Sequence, residues 1–181
     1  MTKTWFIGDL HIGHANIITF NGSDGKLIRP FKTIEEHDET LLENFNKLVS
    51  PNDRVYFMGD IAINRKCLPM LAKFNGRKKL IKGNHDIFKL KDYTPYFEDI
   101  VAYRTYPEHG LIFSHIPVHP SQLEYRFKRN VHGHLHSNLV QSHGSLDWKY
   151  INICPEHTDF KPVDFNQLIS LSSGEYFQYP K

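Results

Sequence analysis

Five times along this chain a short apolar, strand-like run stops at a turn, and the residues beyond the turn are Asp, Asn or His. Thr4–Gly8 leads into Asp9-Leu10-His11, and Arg54–Met58 into Gly59-Asp60. Lys78–Lys82 leads into Gly83-Asn84-His85-Asp86, Gly110–Ser114 into His115, and Asn130–His132 into Gly133-His134-Leu135-His136. Branched and aromatic residues ended by Gly or a polar turn read as buried strands. In open α/β sheets the carboxyl edge of the strands is where ligands bind. A fold that aligns these strands therefore gathers the polar residues at one edge.

The remaining chain fits that class. Thr33–Val49 is the clearest helix: Thr33 and Glu36 form a capping box, and Ile34, Leu41, Leu42, Phe45, Leu48 and Val49 fall on one stripe. Residues 19–31 read as a loop, and Pro69 opens a short helix through Phe74. Lys149–Ile153 reads as a sixth strand, and Glu175–Tyr179 as a possible last one. The order points to an α/β protein with a mixed sheet or two sheets. At 181 residues it is expected to be one domain, 1–181. The apolar runs are far shorter than a membrane span. Met-Thr-Lys-Thr runs directly into a strand with no apolar leader, so a cytoplasmic protein with no membrane partner is expected. Cys67 and Cys154 form no C-x-x-C and read as two packing thiols. A net charge of +2 gives no general polyanion-binding surface. Nucleic acid is therefore not the favoured partner, despite basic residues at Arg77–Lys79 and Arg126–Arg129.

Twelve histidines are the compositional outlier, and most cluster beside the Asp and Asn residues just named. Asp9, His11, Asp60, Asn84, His115, His134 and His136 make a ligand set of mixed nitrogen and oxygen with no thiolate. Such a set suits Mn, Fe, Zn, Co or Ni better than Ca or Mg. Seven ligands are too many for one four-ligand ion, but two ions sharing one bridging carboxylate use them all. Two metals about 3.5–4 Å apart are a clamp for displacement at phosphorus. The bland alternative, turn and capping residues at strand ends, accounts for Asp and Asn but not for the histidines. His14, close after Asp9 and His11, is a candidate substrate contact, or else a first-turn helix residue. Arg29 could meet a substrate phosphate bidentately, or else be a solvated loop residue. Asp86 reads as fixing its turn, His132 as packing at its strand end, and His37, His109, His143 and His157 as surface residues.

The ordered blocks D-x-H, G-D, G-N-H-D, H and G-H-x-H across residues 8–136 resemble the calcineurin-like metallophosphoesterases over about 70% of the chain. The H-I-G-H-A-N-I run and Arg29-Pro30-Phe31 resemble a subgroup of small bacterial and phage phosphoesterases. The resemblance implies a sandwich of two mixed β-sheets flanked by helices, with metals at strand ends. It implies that Asp9, His11, Asp60 and His136 hold one ion and Asp60, Asn84, His115 and His134 the other, with Asp60 bridging. It makes His85 the general acid, or a donor to the transferring phosphoryl group. The expected activity is hydrolysis of small or nucleotide-like phosphodiesters or phosphomonoesters, by in-line attack of a hydroxide bridging two divalent ions, Mn first among them. A scaffold that lost its chemistry, and a nuclease, are the alternatives. One block departs from the phosphoprotein phosphatases: Gly59-Asp60 continues as Ile61-Ala62-Ile63-Asn64, without the acidic residue that orients the catalytic His there. This counts against a phosphoserine or phosphothreonine phosphatase and leaves open what orients His85.

Overall fold

In the computed structural model, which describes residues 2–171 and 173–180, the strands in chain order are β1 (Thr4–Ile7), β2 (Arg54–Phe57), β3 (Arg77–Ile81), β4 (Asp99–Val101), β5 (Tyr103–Tyr106), β6 (Leu111–Ser114), β7 (Arg129–His132), β8 (Gln141–Ser142), β9 (Ser145–Leu146), β10 (Tyr150–Asn152) and β11 (Val163–Asp164). The helices are α1 (Ile34–Leu48), α2 (Leu90–Tyr93), α3 (Pro155–Thr158) and α4 (Phe165–Ile169), with 3₁₀ turns between. One main sheet runs β11-β1-β2-β3-β4 and the second β10-β7-β6-β5, while β8 and β9 pair as a separate two-stranded ribbon. Each main sheet is mixed: β1 to β4 are parallel with β11 antiparallel, and β10, β7 and β6 are parallel with β5 antiparallel.

Side chains alternate across the first sheet, so its two faces build two cores. Phe6, Tyr56, Met58 and Ile81 point at the second sheet and pack with Phe113, Val131 and Ile151. Phe6 and Phe113 stack with centroids 4.1 Å apart. Trp5, Ile7, Val55, Phe57 and Leu80 point the other way, onto Leu41, Phe45 and Val49 and onto Leu68, Leu71 and Phe74. The sandwich with a helical flank is the expected architecture.

Four local expectations need correction. Thr33 does cap α1, accepting from the Glu36 N–H, but the Glu36 carboxylate returns to the Lys32 N–H instead of to Thr33. Leu48, placed on the buried stripe, is 42% exposed, and His37 is buried in that face. The second helix is a 3₁₀ helix that starts at Arg65 with Asn64 as its cap, so Pro69 lies inside it. Glu175–Tyr179 joins no sheet; its Tyr179 hydroxyl instead accepts from the Asn152 N–H.

Register decides where the polar residues fall. Ile7 pairs with Phe57, and Ser114 with His132. β1 and β2 therefore end level with each other, as do β6 and β7, and the turns that follow them meet at one edge of the sandwich.

Candidate metal centre

Asp9, His11 and His136 form one group whose ligand atoms all lie within 4.8 Å of one another, and Asp60, His115 and His134 form a second. Each group draws on both sheets. Asp9, His11 and Asp60 follow β1 and β2, whereas His115, His134 and His136 follow β6 and β7. Oδ2 of Asp60 is 3.3 Å from His115 Nε2 and 3.9 Å from His11 Nε2, so this one carboxylate faces both groups. Asn84 Oδ1 is 2.9 Å from His115 Nε2, which brings the seventh candidate to the second group.

The backbone is bent to aim these side chains. Asp9, His11, Asp60, His134 and His136 all have positive φ, between 49° and 69°. That left-handed region costs a non-glycine residue about 1–3 kcal/mol. The turns are held by bonds to the ligands themselves: Asp9 accepts from the His134 N–H at 3.0 Å, and Asp60 Oδ1 from the His85 N–H at 2.8 Å. The glycines beside them leave no room for a side chain. A Cβ on Gly133 would collide with Asp9 Oδ2, and one on Gly83 with Asp60 Oδ1. Asp86, fully buried, accepts from the N–H groups of Asp60, Ile61 and Gly83 and so locks the second and third turns together.

Burial dominates the electrostatics of the site. Burial pushes the Asp9 carboxyl up to about 6 against the pull of His115 and His136. Burial, aided by the Arg29 charge, drives the His11 imidazole down to about 2. Burial also disfavours charge on His115, but its bond to Asp60 and the nearby Asp9 outweigh this and raise it to about 9. Both ring nitrogens of His11 are buried without a hydrogen-bond partner. Buried polar atoms are rarely left so; a cation at the first group satisfies one of them, and the N/O donor set fits a divalent transition metal.

The other candidates divide. His85 is exposed, its ring edge-on to that of His11 with centroids 5.8 Å apart. Its side chain has no hydrogen-bond partner among the described residues. His14 lies at the same edge, 5.7 Å from the His11 ring and 6.0 Å from Phe20. Arg29 is a correction. It is fully buried, and its guanidinium is committed to Glu156, to the carbonyls of Asp9 and Leu10 and to His37, so it has no face for a substrate phosphate. His37 and His157 are corrections too: His37 is fully buried against Arg29 and Asp38, and His157 is half-buried against Tyr179. Glu156, whose Oε1 is 2.9 Å from His136 Nδ1, gave no signal in sequence, where it is one Glu in Pro155–Thr158.

The family model of the calcineurin-like phosphoesterases matches residues 2–152. The chain belongs to that family. Among relatives of this phosphoesterase, an uncharacterized protein of Methanocaldococcus jannaschii is 31% identical over 180 residues, covering 94% of this chain and 92% of the relative. The gene 66 protein of Mycobacterium phage L5 is 30% identical over 176 residues, covering 78% and 81%. A crystal structure of a protein of unknown function from Aquifex aeolicus superposes with a TM-score of 0.71 at 26% identity, covering 95% of this chain and all of the other. The metallophosphoesterase fold accounts for the placement of both ligand groups at one sheet edge.

Proposed function

We propose that this phosphoesterase hydrolyses phosphodiesters or phosphomonoesters of small or nucleotide-like substrates, with two divalent ions, Mn first among the candidates. The observation that carries the reading is the pair of ligand groups facing one shared carboxylate, Asp60, beneath an exposed histidine. Asp9, His11, Asp60 and His136 would hold one ion, and Asp60, Asn84, His115 and His134 the other. Ions held there supply an activated water nucleophile and neutralise charge on the phosphoryl oxygens.

The chain's own residues supply the rest. Asp60 stays anionic at neutral pH: burial opposes this, but contact with His115 and the His85 N–H hold its carboxyl below the usual range. His85 stands free at the solvent edge of the cluster, where it can give a proton to a departing oxygen. His14 stands at the same edge, against the His11 ring, as a substrate contact. The sandwich leaves this edge open, which favours small esters, nucleotides or the exposed ends of larger substrates.

The experiment is a leaving-group comparison in Mn²⁺-loaded protein. His85→Asn should retain both ions and lose about 10²–10⁴-fold on nucleotide esters, whose alkoxide needs a proton. It should lose much less on nitrophenyl esters, whose leaving group departs as a stable anion. Absence of hydrolysis of every aryl and nucleotide ester by the Mn²⁺-loaded wild type overturns the reading. An equal loss on both ester types reassigns His85 to stabilising the phosphoryl group.

A further inference from the structure

The two ligand groups differ in what stands behind them. His136 Nδ1 meets Glu156 Oε1 at 2.9 Å, and the Glu156 side chain is only 3% exposed. The same oxygen accepts from Arg29 Nε at 2.9 Å. Arg29 also donates to the carbonyl oxygens of Asp9, at 2.6 Å, and Leu10, at 3.1 Å, which lie along the chain between the ligands Asp9 and His11. His37 closes the set, with Nε2 2.9 Å from Arg29 and Nδ1 2.8 Å from Asp38, whose other oxygen accepts from the Gly13 N–H. Every one of these contacts wraps the Asp9–His11–His136 group. Among the described residues, no buried carboxylate stands behind the imidazoles of the second group: His115 Nδ1 faces the Met58 carbonyl, and Asn84 is exposed.

A buried Arg–Glu pair is a poor device for stability alone, because apolar residues of similar volume do as well or better. It is a good device for orienting a ligand. A carboxylate on Nδ1 fixes the proton there, leaves the Nε2 lone pair for the metal and makes it a stronger donor. Arg29, holding both that carboxylate and the Asp9 and Leu10 carbonyls, ties the ring to the turn that carries the other two ligands.

We propose that Arg29 and Glu156 are positioning residues for His136, and that their buried pair makes the Asp9–His11–His136 position the tighter of two ion sites, loaded first. The inference rests on the two-ion reading above.

The test is calorimetric titration of metal-free protein with Mn²⁺. The wild type should bind in two resolved steps. Glu156→Gln should weaken the tighter step about 10–100-fold, the usual effect of removing a partner behind a ligand, and leave the other step unchanged. That variant leaves the Arg29 charge unpaired, so the double variant Arg29→Met, Glu156→Leu, which removes both charges, is run beside it and should show the same selective loss. In Co²⁺-loaded protein the exchangeable Nδ1 proton of His136 should give a shifted proton resonance that exchanges with water faster in both variants. A merely structural pair would lower the melting temperature, weaken both steps alike and leave that exchange unchanged, which overturns the proposal. An unaltered tight step in both variants also overturns it. The two readings fail separately: ordered Mn²⁺ binding that the variants disrupt, in a protein that hydrolyses no phosphoester, removes the proposed activity and keeps the positioning role.

Discussion

Removing the Asp86 carboxylate measures how far the site's turns depend on one side chain outside the ligand set. Asp86 is fully buried, and it accepts from three backbone N–H groups at 2.8–3.0 Å. Asp86→Ala orphans all three. At ~1–3 kcal/mol for each buried unsatisfied donor, the gross loss is ~3–9 kcal/mol. Relief from burying an anion offsets part of it, since burial already pushes this carboxyl above its ordinary range. A net loss of about 3–5 kcal/mol remains, against a total stability of ~5–15 kcal/mol for a typical domain. Asp86→Asn keeps one acceptor oxygen. Oδ2 serves both Asp60 and Gly83, so the amide can hold those two and lose only Ile61, at about 1–3 kcal/mol. The assay is urea unfolding of the metal-free proteins followed by circular dichroism, with the midpoint shift read at constant slope. A loss below about 1 kcal/mol in Asp86→Ala, or an Asn variant as damaged as the Ala variant, refutes the argument that these three bonds hold the turns.

Further outcomes follow from the same geometry. Metal analysis after Mn²⁺ reconstitution should find about two ions per chain, and full activity with one saturating ion would exclude the two-ion reading. Asp60→Ala should weaken both ions in the same titration, whereas His115→Ala should weaken one; normal double loading in Asp60→Ala removes Asp60 from the shared position. Gly133→Ala places a methyl on Asp9 Oδ2 and should cost metal affinity well before it costs fold, checked by titration beside a melting curve. Asp53 supplies the pH dependence: burial would raise its carboxyl, but N–H groups of Ser50, Lys3 and the Trp5 indole hold it below the ordinary range. Its stabilisation is therefore full above the ordinary carboxylate pKa and fades as pH falls below about 4. The stability gap between wild type and Asp53→Asn should shrink through that window, and a gap independent of pH contradicts it.

What the sequence revealed and what it hid follow from the range of the interactions. The strands carrying the candidate ligands were legible because each packs its own apolar residues and ends in its own turn. The strands β4 and β11 were not, being three and two residues long, and β5 is an edge strand with polar exposed residues. The 3₁₀ helix had a signal that a 3.6-residue reading passes over: Leu68, Leu71 and Phe74 recur every three residues, the period of that helix. His37 stands four residues before Leu41 on the buried stripe, so its burial was readable from the helix itself. Arg29 carries no local sign of its burial because its partner lies 127 residues away, in the four-residue helix α3.

Each ligand group takes side chains from both sheets, and Asp9 and His134 meet across 125 residues of chain. An ion in either position is therefore a cross-link, closing a loop longer than most disulfides close. Such closure acts on the unfolded and half-assembled chain, whose freedom it removes. Neither sheet alone offers a complete group, so metal can reward only the docked sandwich, and chelation should loosen the seam between the sheets before it loosens either sheet. Segments of this chain that contain a single sheet should bind divalent metal no better than unstructured histidine peptides.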